Sequence, residues 1–246
     1  MPQSGMTYRA GTYECDRNNV LHIGSVFNWL QDALDGYSQR HKIGYDYCRK
    51  NEITYVLRGY DVIVDSFPKR MDTVSISTDL VNTTSCSLFF KQTLINTHTR
   101  QALLSSISHI VLIDLKNKRP LRLEENIPLR ALKLSPMSVE PLSLPSLDVI
   151  HAEDTQKVTY DYIDFNQHMN NTNYIVFAER TLNPDIQKKE NLRRIQVTYK
   201  QAAVLGDKVK VSTKITPNFT DHQISSASDI NKQFARIRFF WQQHTR

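Results

Sequence analysis

Residues 57–80 read LRGYDVIVDSFPKRMDTVSISTDL, and residues 192–215 read LRRIQVTYKQAAVLGDKVKVSTKI. Aligned without a gap, at a shift of 135 (192 − 57), seven of the 24 positions are identical: Leu57/Leu192, Arg58/Arg193, Val62/Val197, Asp72/Asp207, Val74/Val209, Ser77/Ser212 and Thr78/Thr213. Average residue usage yields only about one or two matches by chance. A second match, Asp16-x-Asn18 with Asp164-x-Asn166, lies at a shift of 148. The chain therefore reads as two copies of one unit, the first longer in its helical part by 13 residues (148 − 135).

The segments around each copy supply the rest of that unit. Residues 7–16 read as a strand ending in a turn. Gly24-Ser25 offers a helix cap, and Val26, Trp29, Leu30, Ala33, Leu34 and Tyr37 then fall on one helical face. Residues 60–64, 74–81, 88–95 and 103–115 are rich in β-branched and aromatic residues, and residues 96–100 read as a hairpin tip. After a break the pattern restarts. A strand is expected over 157–163, a helix carrying Tyr174, Phe177, Ala178 and Leu182 and closed at Asn183-Pro184, then strands over 195–199, 209–215, 224–230 and 234–241. Strand, helix, then a run of antiparallel strands is the order of an α+β fold. Five of the nine prolines (Pro120, Pro128, Pro136, Pro141, Pro145) crowd residues 116–150, where backbone donors are lost and periodicity fails. The expected division is 1–118, a proline-rich linker over 119–150, and 151–246.

Composition narrows the function classes. With 246 residues, 40% apolar and 23% charged, the chain is an ordinary globular one, long enough for a real core. No run of 18 apolar residues exists, and the first residues lack an apolar signal stretch, so a cytoplasmic protein is expected. Cys15, Cys48 and Cys86 are widely spaced and odd in number, which suits neither a disulfide framework nor a zinc site. A formal net charge of +6 favours an acidic partner such as nucleic acid, an anionic membrane or an acidic carrier protein, or simply marks a solvated basic surface. No Lys/Arg run exceeds two residues, and no aromatic RNA-binding signature appears, so neither nucleic acid nor membrane is the expected partner.

Chemistry concentrates in residues 161–180, DYIDFNQHMNNTNYIVFAER. Asp164, Asn166, His168, Asn170 and Asn171 stand at the entry to an apolar helix. Such a cluster can cap the helix, or it can hold a reacting group at the positive end of its dipole. If the stretch is extended, Asp164, Asn166 and His168 alternate and point to one side. Histidine can act as base, a carboxylate can orient it, asparagine can position a water or a carbonyl, and first-turn N–H groups suit a developing oxyanion. No GxSxG elbow, phosphate loop or HExxH ligand pair competes, and no metal or cofactor is expected.

Residues 164–179, DFNQHMNNTNYIVFAE, resemble the D-x-N-x-H-x-N-N-x-x-Y signature of the acyl-ACP thioesterases, the plant fatty-acyl enzymes and their bacterial relatives. That resemblance implies two tandem hotdog domains, each an antiparallel sheet wrapped around a long helix, which matches the repeat. It implies hydrolysis of the thioester joining a fatty acyl chain to the phosphopantetheine of acyl carrier protein, with Asp164, Asn166 and His168 catalytic. Asn170 and Asn171 would shape the helix entry and the substrate site. Val20 occupies the position of His168 in the first copy, so only the second copy can carry this chemistry. The first copy, through Val26, Trp29, Leu30 and Ala33, would bind the acyl chain or merely pack its own core. The family glutamate falls on Ala202 and the following cysteine of plant members on Ala203, which leaves Gln201, Asp207 or His168 alone to manage the water. Alternatives are an acyl-CoA thioesterase and a catalytically weak acyl-binding hotdog. Lys188, Lys189, Arg193, Arg194 and Lys200 could receive an acidic carrier. Two fused hotdogs already form a pseudo-dimer, and a further homodimer is compatible with the sequence.

Overall fold

The computed structural model describes residues 5–183 and 192–242. It divides into two compact units, Met1–Pro141 and Leu142–Arg246. The first runs β1 (Met6–Arg9), α1 (Ile23–Arg40), α2 (Tyr45–Lys50), β2 (Ile53–Val64), β3 (Thr73–Thr83), β4 (Ser87–Asn96), β5 (Ala102–Asp114) and α3 (Leu123–Asn126). Its strands pair antiparallel in the order β1-β3-β4-β5-β2. The second runs β6 (Ala152–Lys157), α4 (Asn171–Arg180), β7 (Leu192–Tyr199), β8 (Lys208–Ile215), β9 (Phe219–Ser226) and β10 (Gln233–Trp241), paired antiparallel as β7-β10-β9-β8-β6. Each unit is a hotdog, a sheet curved around one buried helix.

The repeat survives in the register. Arg9 faces Thr73 in the first unit and Lys157 faces Lys208 in the second, displaced by the same 148 and 135 as the sequence matches. The apolar stripe of α1 is buried as its spacing requires: Val26, Leu30, Ala33 and Tyr37 all turn inward. On α4 the corresponding stripe is Tyr174, Phe177 and Ala178.

Several boundaries differ from expectation for local reasons. Helix α1 starts at Ile23, ahead of Gly24-Ser25, with His22 as its N-cap and no side-chain cap. The His22 N–H is instead taken by the Glu14 carbonyl at 2.8 Å, which fixes the entry from outside the helix. The strand expected over 157–163 ends at Lys157, because residues 160–162 tighten into a 3₁₀ turn. Helix α4 stops at Arg180, where the Thr181 hydroxyl donates to the Ala178 carbonyl at 2.8 Å. Strand β9 begins at Phe219 and turns away after Ser226. The hairpin at residues 96–100 forms as expected, with Asn96 Oδ1 accepting the His98 and Thr99 N–H groups.

Much of the proline-rich stretch is built into the first unit. Leu123, Ile127 and Leu132 are buried. Ser135 N–H donates to the Leu80 carbonyl at 2.8 Å and Met137 N–H to Val81 at 2.9 Å, so residues 134–137 cover the length of β3 that the short β1 leaves bare.

Candidate active site

Residues 164–168 form a closed turn, not an extended strand. Asp164 Oδ1 accepts the Asn166 N–H at 2.8 Å, and the Asp164 carbonyl accepts the Gln167 N–H at 3.0 Å. The Asp164 N–H returns to the His168 carbonyl at 2.9 Å, and Gln167 takes φ of 63°. The expected alternation of Asp164, Asn166 and His168 along one side of a strand therefore does not occur. The carboxylate beside a free N–H two residues on closes the chain instead. Asp164 is half-buried, while Asn166 and His168 are exposed. Among the described residues the exposed His168 ring makes no hydrogen bond.

The first unit builds the same turn. Asp16 Oδ1 accepts the Asn18 N–H at 2.8 Å, Asn19 N–H meets the Asp16 carbonyl at 3.0 Å, Asp16 N–H meets the Val20 carbonyl at 2.8 Å, and Asn19 has φ of 60°. The backbone is thus a property of the fold, and the imidazole is an addition made only in the second copy.

Just past the turn, Met169 N–H donates to the Ala203 carbonyl at 2.9 Å, so residues 201–203 run beside it. Gln201 and Ala202 are exposed there, and Ala203 is buried. Asp207 serves the loop rather than a water. It accepts the Val204 N–H at 3.0 Å and pairs with Lys232 at 3.6 Å, just as Asp72 in the first unit accepts the Lys69 N–H at 2.8 Å.

Asn170 caps α4, its Oδ1 accepting the Thr172 N–H at 2.9 Å. Asn171 is the first helical residue, and its carbonyl accepts the Tyr199 hydroxyl at 3.1 Å. With Thr172 capped, the Asn171 N–H is a first-turn donor with no protein acceptor among the described residues. Tyr174, read from the sequence only as part of the apolar face, is a positioning residue. Its buried hydroxyl oxygen accepts the Ala203 N–H at 2.8 Å and clamps residues 201–203 to the helix. Burial pushes that hydroxyl up to about 12; the Ala203 bond opposes the rise, and the Asp207 and Asp164 carboxylates add to it. Its place as the last letter of the signature was the signal that could have marked it.

In the first unit Val26, Leu30 and Ala33 sit in the helix–sheet interior, and Trp29 is engaged by Glu14 (Nε1 to Oε1, 2.9 Å) and stacks on Tyr8 at 5.2 Å. Among the described residues no cluster of three His, Cys, Asp or Glu side chains is placed to hold a metal, and no helix is long and apolar enough to cross a membrane. Lys188 and Lys189 lie outside the described residues.

Comparisons with known proteins bear on the family and the fold. The family model for the acyl-ACP thioesterase N-terminal domain matches residues 3–129, and that for the C-terminal domain matches residues 149–243. The chain is 20% identical over 242 residues to acyl-[acyl-carrier-protein] hydrolase FATB2, chloroplastic, of Cuphea viscosissima; 88% of this chain is covered but only 57% of that relative's length. An acyl-ACP thioesterase structure from Bacteroides thetaiotaomicron superposes with a TM-score of 0.87 at 17% identity, covering 97% of each chain. The 12:0-ACP thioesterase of Umbellularia californica gives a TM-score of 0.82 at 16% identity, with 97% and 96% covered. At those identities the superpositions speak for the fold; the family models, which together take in most of the chain, speak for kinship. A doubled hotdog with a histidine-bearing turn in its second unit, matched along nearly all its length by both domain models, belongs to the acyl-ACP thioesterase family.

Proposed function

We propose that this chain hydrolyses the thioester of a fatty acyl chain carried on acyl carrier protein and releases the free fatty acid. The observation that carries the reading is the pair of twin turns, alike in backbone hydrogen bonding, of which only one bears an imidazole. In this reading His168 takes a proton from water as its oxygen attacks the thioester carbonyl carbon. The Asn166 amide positions that water or the carbonyl oxygen. The Asn171 N–H, at the positive end of α4, receives the oxyanion. The intermediate then collapses, the C–S bond breaks, and the imidazolium returns its proton to the leaving thiolate. Asp164 acts through the turn it closes, as a positioning residue. The first unit binds the acyl chain beneath α1, and its boundary with the catalytic unit falls in the proline-rich stretch 119–150.

Arg193, Arg194 and Lys200, with Lys188 and Lys189, are the side chains we assign to an acidic carrier. A cytoplasmic setting suits Cys15, Cys48 and Cys86, which form no disulfide. The test is a purified-enzyme assay over acyl-ACPs of graded chain length, with the matching acyl-CoAs as alternative donors. Turnover should favour the carrier-bound donors and fall with rising salt, as charge-steered encounter requires. It should drop about 100-fold or more in His168→Ala. Unchanged turnover in that variant rules out the assignment. A second reading, an acyl-binding protein of low turnover, is favoured by Ala202: it stands on the segment that runs beside the turn, at the position where the family resemblance implies a glutamate. A faster Ala202→Glu variant would show that the carboxylate limits the parent.

A further inference from the structure

The twin turns sit in twin frames. In the second unit three segments meet at His168: residues 158–163, the turn 164–168 and the loop 203–207. Val158 N–H donates to the Asp207 carbonyl at 2.8 Å, Gly206 N–H to Val158 at 2.9 Å and Met169 N–H to Ala203 at 2.9 Å. The first unit repeats each bond at the same displacements: Ala10 N–H to Asp72 at 2.9 Å, Met71 N–H to Ala10 at 2.9 Å and Leu21 N–H to Pro68 at 2.8 Å. Gly206 and Met71 both take positive φ, 89° and 75°. The backbone therefore does not distinguish the two frames; the side chains do.

In the second frame Tyr160, Phe165, Val204 and Leu205 are 84%, 74%, 43% and 59% exposed. Their counterparts in the first are Thr12, Arg17, Lys69 and Arg70, all exposed. Where the first frame carries three cations, the second thus carries three apolar side chains. Tyr13 and Met71 are exposed in the first frame too, but they stand among those cations, and Asp161 and Gly206 hold their places in the second. Positive charge in the second frame stands instead at the ends of its segments. Lys200 and Lys208 occupy the places of Asp65 and Thr73, and Lys157 that of Arg9. Lys157 faces Lys208 across β6 and β8, and Lys200, just after β7, reaches Gln233 Oε1 at 2.7 Å. The result is an apolar centre flanked by lysines, beside the one turn that bears an imidazole.

Side chains this exposed add little to the chain's own core, and an apolar cluster rimmed by charge is the anatomy of a contact with another macromolecule. We propose that Tyr160, Phe165, Val204 and Leu205 form the docking surface for the carrier, an acidic protein that presents an apolar contact beside its acyl-bearing arm. The inference rests on the reading of acyl-ACP as the donor and adds where the carrier is held and by what chemistry. The apolar centre makes the contact, and Lys157, Lys200 and Lys208 complement carboxylates around it. Two other occupants fit less well. A second copy of this chain seated here would cover His168, which is exposed. An anionic lipid surface would favour cations among the exposed side chains, where the first frame has them and the second does not. The apolar cluster and the imidazole occur together in one unit and are both missing from its twin, as a partner delivered to that histidine requires.

The experiment has two arms on the full chain. Calorimetry measures binding of acyl-ACP in a His168→Ala background. Hydrolysis is measured with His168 in place, on acyl-ACP and on the same acyl group carried by N-acetylcysteamine, a donor with no carrier. Phe165→Ser and the double variant Val204→Ser/Leu205→Ser remove apolar surface without changing the net charge. The first unit's backbone already accepts polar side chains at these places, and thermal unfolding verifies that the variants fold. Each should weaken acyl-ACP binding by about fivefold or more and raise KM to match. The double variant should keep kcat/KM on the small donor within about twofold of the parent. Equal carrier binding by parent and variants overturns the inference. A comparable loss on the small donor in the double variant also overturns it, because these side chains would then serve the acyl group or the chemistry. Sedimentation of the parent, and flotation with vesicles of anionic phospholipid, test the other occupants. A dimer, or vesicle binding, that the double variant abolishes while carrier binding persists would assign the surface to that occupant instead. Carrier binding that depends on these residues, with no hydrolysis of any acyl-ACP, would uphold the inference and overturn the hydrolase reading; hydrolysis with carrier binding indifferent to them would do the reverse.

Discussion

His222 is 1% exposed, and burial pushes its imidazole from 6.5 down to about 3. The hydroxyls around it leave one consistent set of protons. The indole N–H of Trp241 can only donate, so it gives its proton to Thr220, whose own hydrogen goes to Nε2 of His222. At the other end Thr181 donates to the Ala178 carbonyl, so it accepts from Thr213, which in turn accepts the Nδ1–H. A second ring proton would have to enter at Nε2, where Thr220 would lose its acceptor. The folded form therefore holds His222 neutral, while the unfolded chain protonates it near pH 6.5. Stability from this residue is complete above pH 6.5 and is lost as the pH falls toward 3, at about 1.4 kcal/mol per pH unit. Between pH 6.5 and 5 the loss is about 2 kcal/mol, a large share of a typical domain's stability of about 5–15 kcal/mol. Urea unfolding followed by circular dichroism at pH 7.5, 6, 5 and 4.5 measures it. His222→Gln is the control, since Gln92 occupies the equivalent place in the first unit. Carboxylates also titrate in this range, so the quantity to follow is the difference between parent and variant. The parent should be the more stable at pH 7.5, and its advantage should shrink by about 2 kcal/mol by pH 5. Parallel pH curves for the two proteins would refute the reasoning, because they would mean that the folded ring gains its proton as readily as the unfolded one.

Asp16→Ala and Asp164→Ala each remove a carboxylate that closes a turn, and each should cost about 1–3 kcal/mol in chemical denaturation. Only Asp164→Ala should also lower kcat, because only its turn carries the imidazole; equal loss of activity in Asp16→Ala would contradict the division of labour between the units. Tyr174→Phe leaves the buried Ala203 N–H without its acceptor. A cost of about 1–3 kcal/mol is expected, with kcat falling more than KM rises, as for a residue that holds the site rather than the substrate. Val20→His should leave the first unit without thioesterase activity, tested in a His168→Ala background, since no asparagine cap follows it: His22 stands where Asn170 does.

The elements that were legible in the sequence are those set by short-range rules. The stripe Val26-Leu30-Ala33-Tyr37 had to be a buried helix face, because a helix repeats every 3.6 residues and these side chains must leave water. The duplicated strands around Val62/Val197 and Val74/Val209 were visible because both copies must alternate to fit one pleat. The signature from Asp164 to Tyr174 pointed to the site, because few folds need three asparagines, an aspartate and a histidine at one helix entry. The closed turn at residues 164–168 is not legible in the sequence, since a hydrogen bond from Asn166 N–H to Asp164 leaves no trace in periodicity. Asp207 passed for a spare carboxylate until its bond to Val204 and its twin in Asp72 showed it to be a loop fastener.

Sequence alone thus determined that one strand–helix–strands unit occurs twice and which copy carries a histidine in its turn, since both follow from residue type and spacing along the chain. Tertiary structure decided what stands next to what. Ala203 meets Met169 from 34 residues away (203 − 169), and Tyr174 meets Ala203 from 29. Thr213 is paired by Thr181, which follows the end of α4, whereas α1 runs on through the equivalent position with Ala33, which has no hydroxyl to offer Thr78. Such pairings depend on how a helix is laid across a sheet, and that is settled by the packing of the whole unit rather than by any stretch of it.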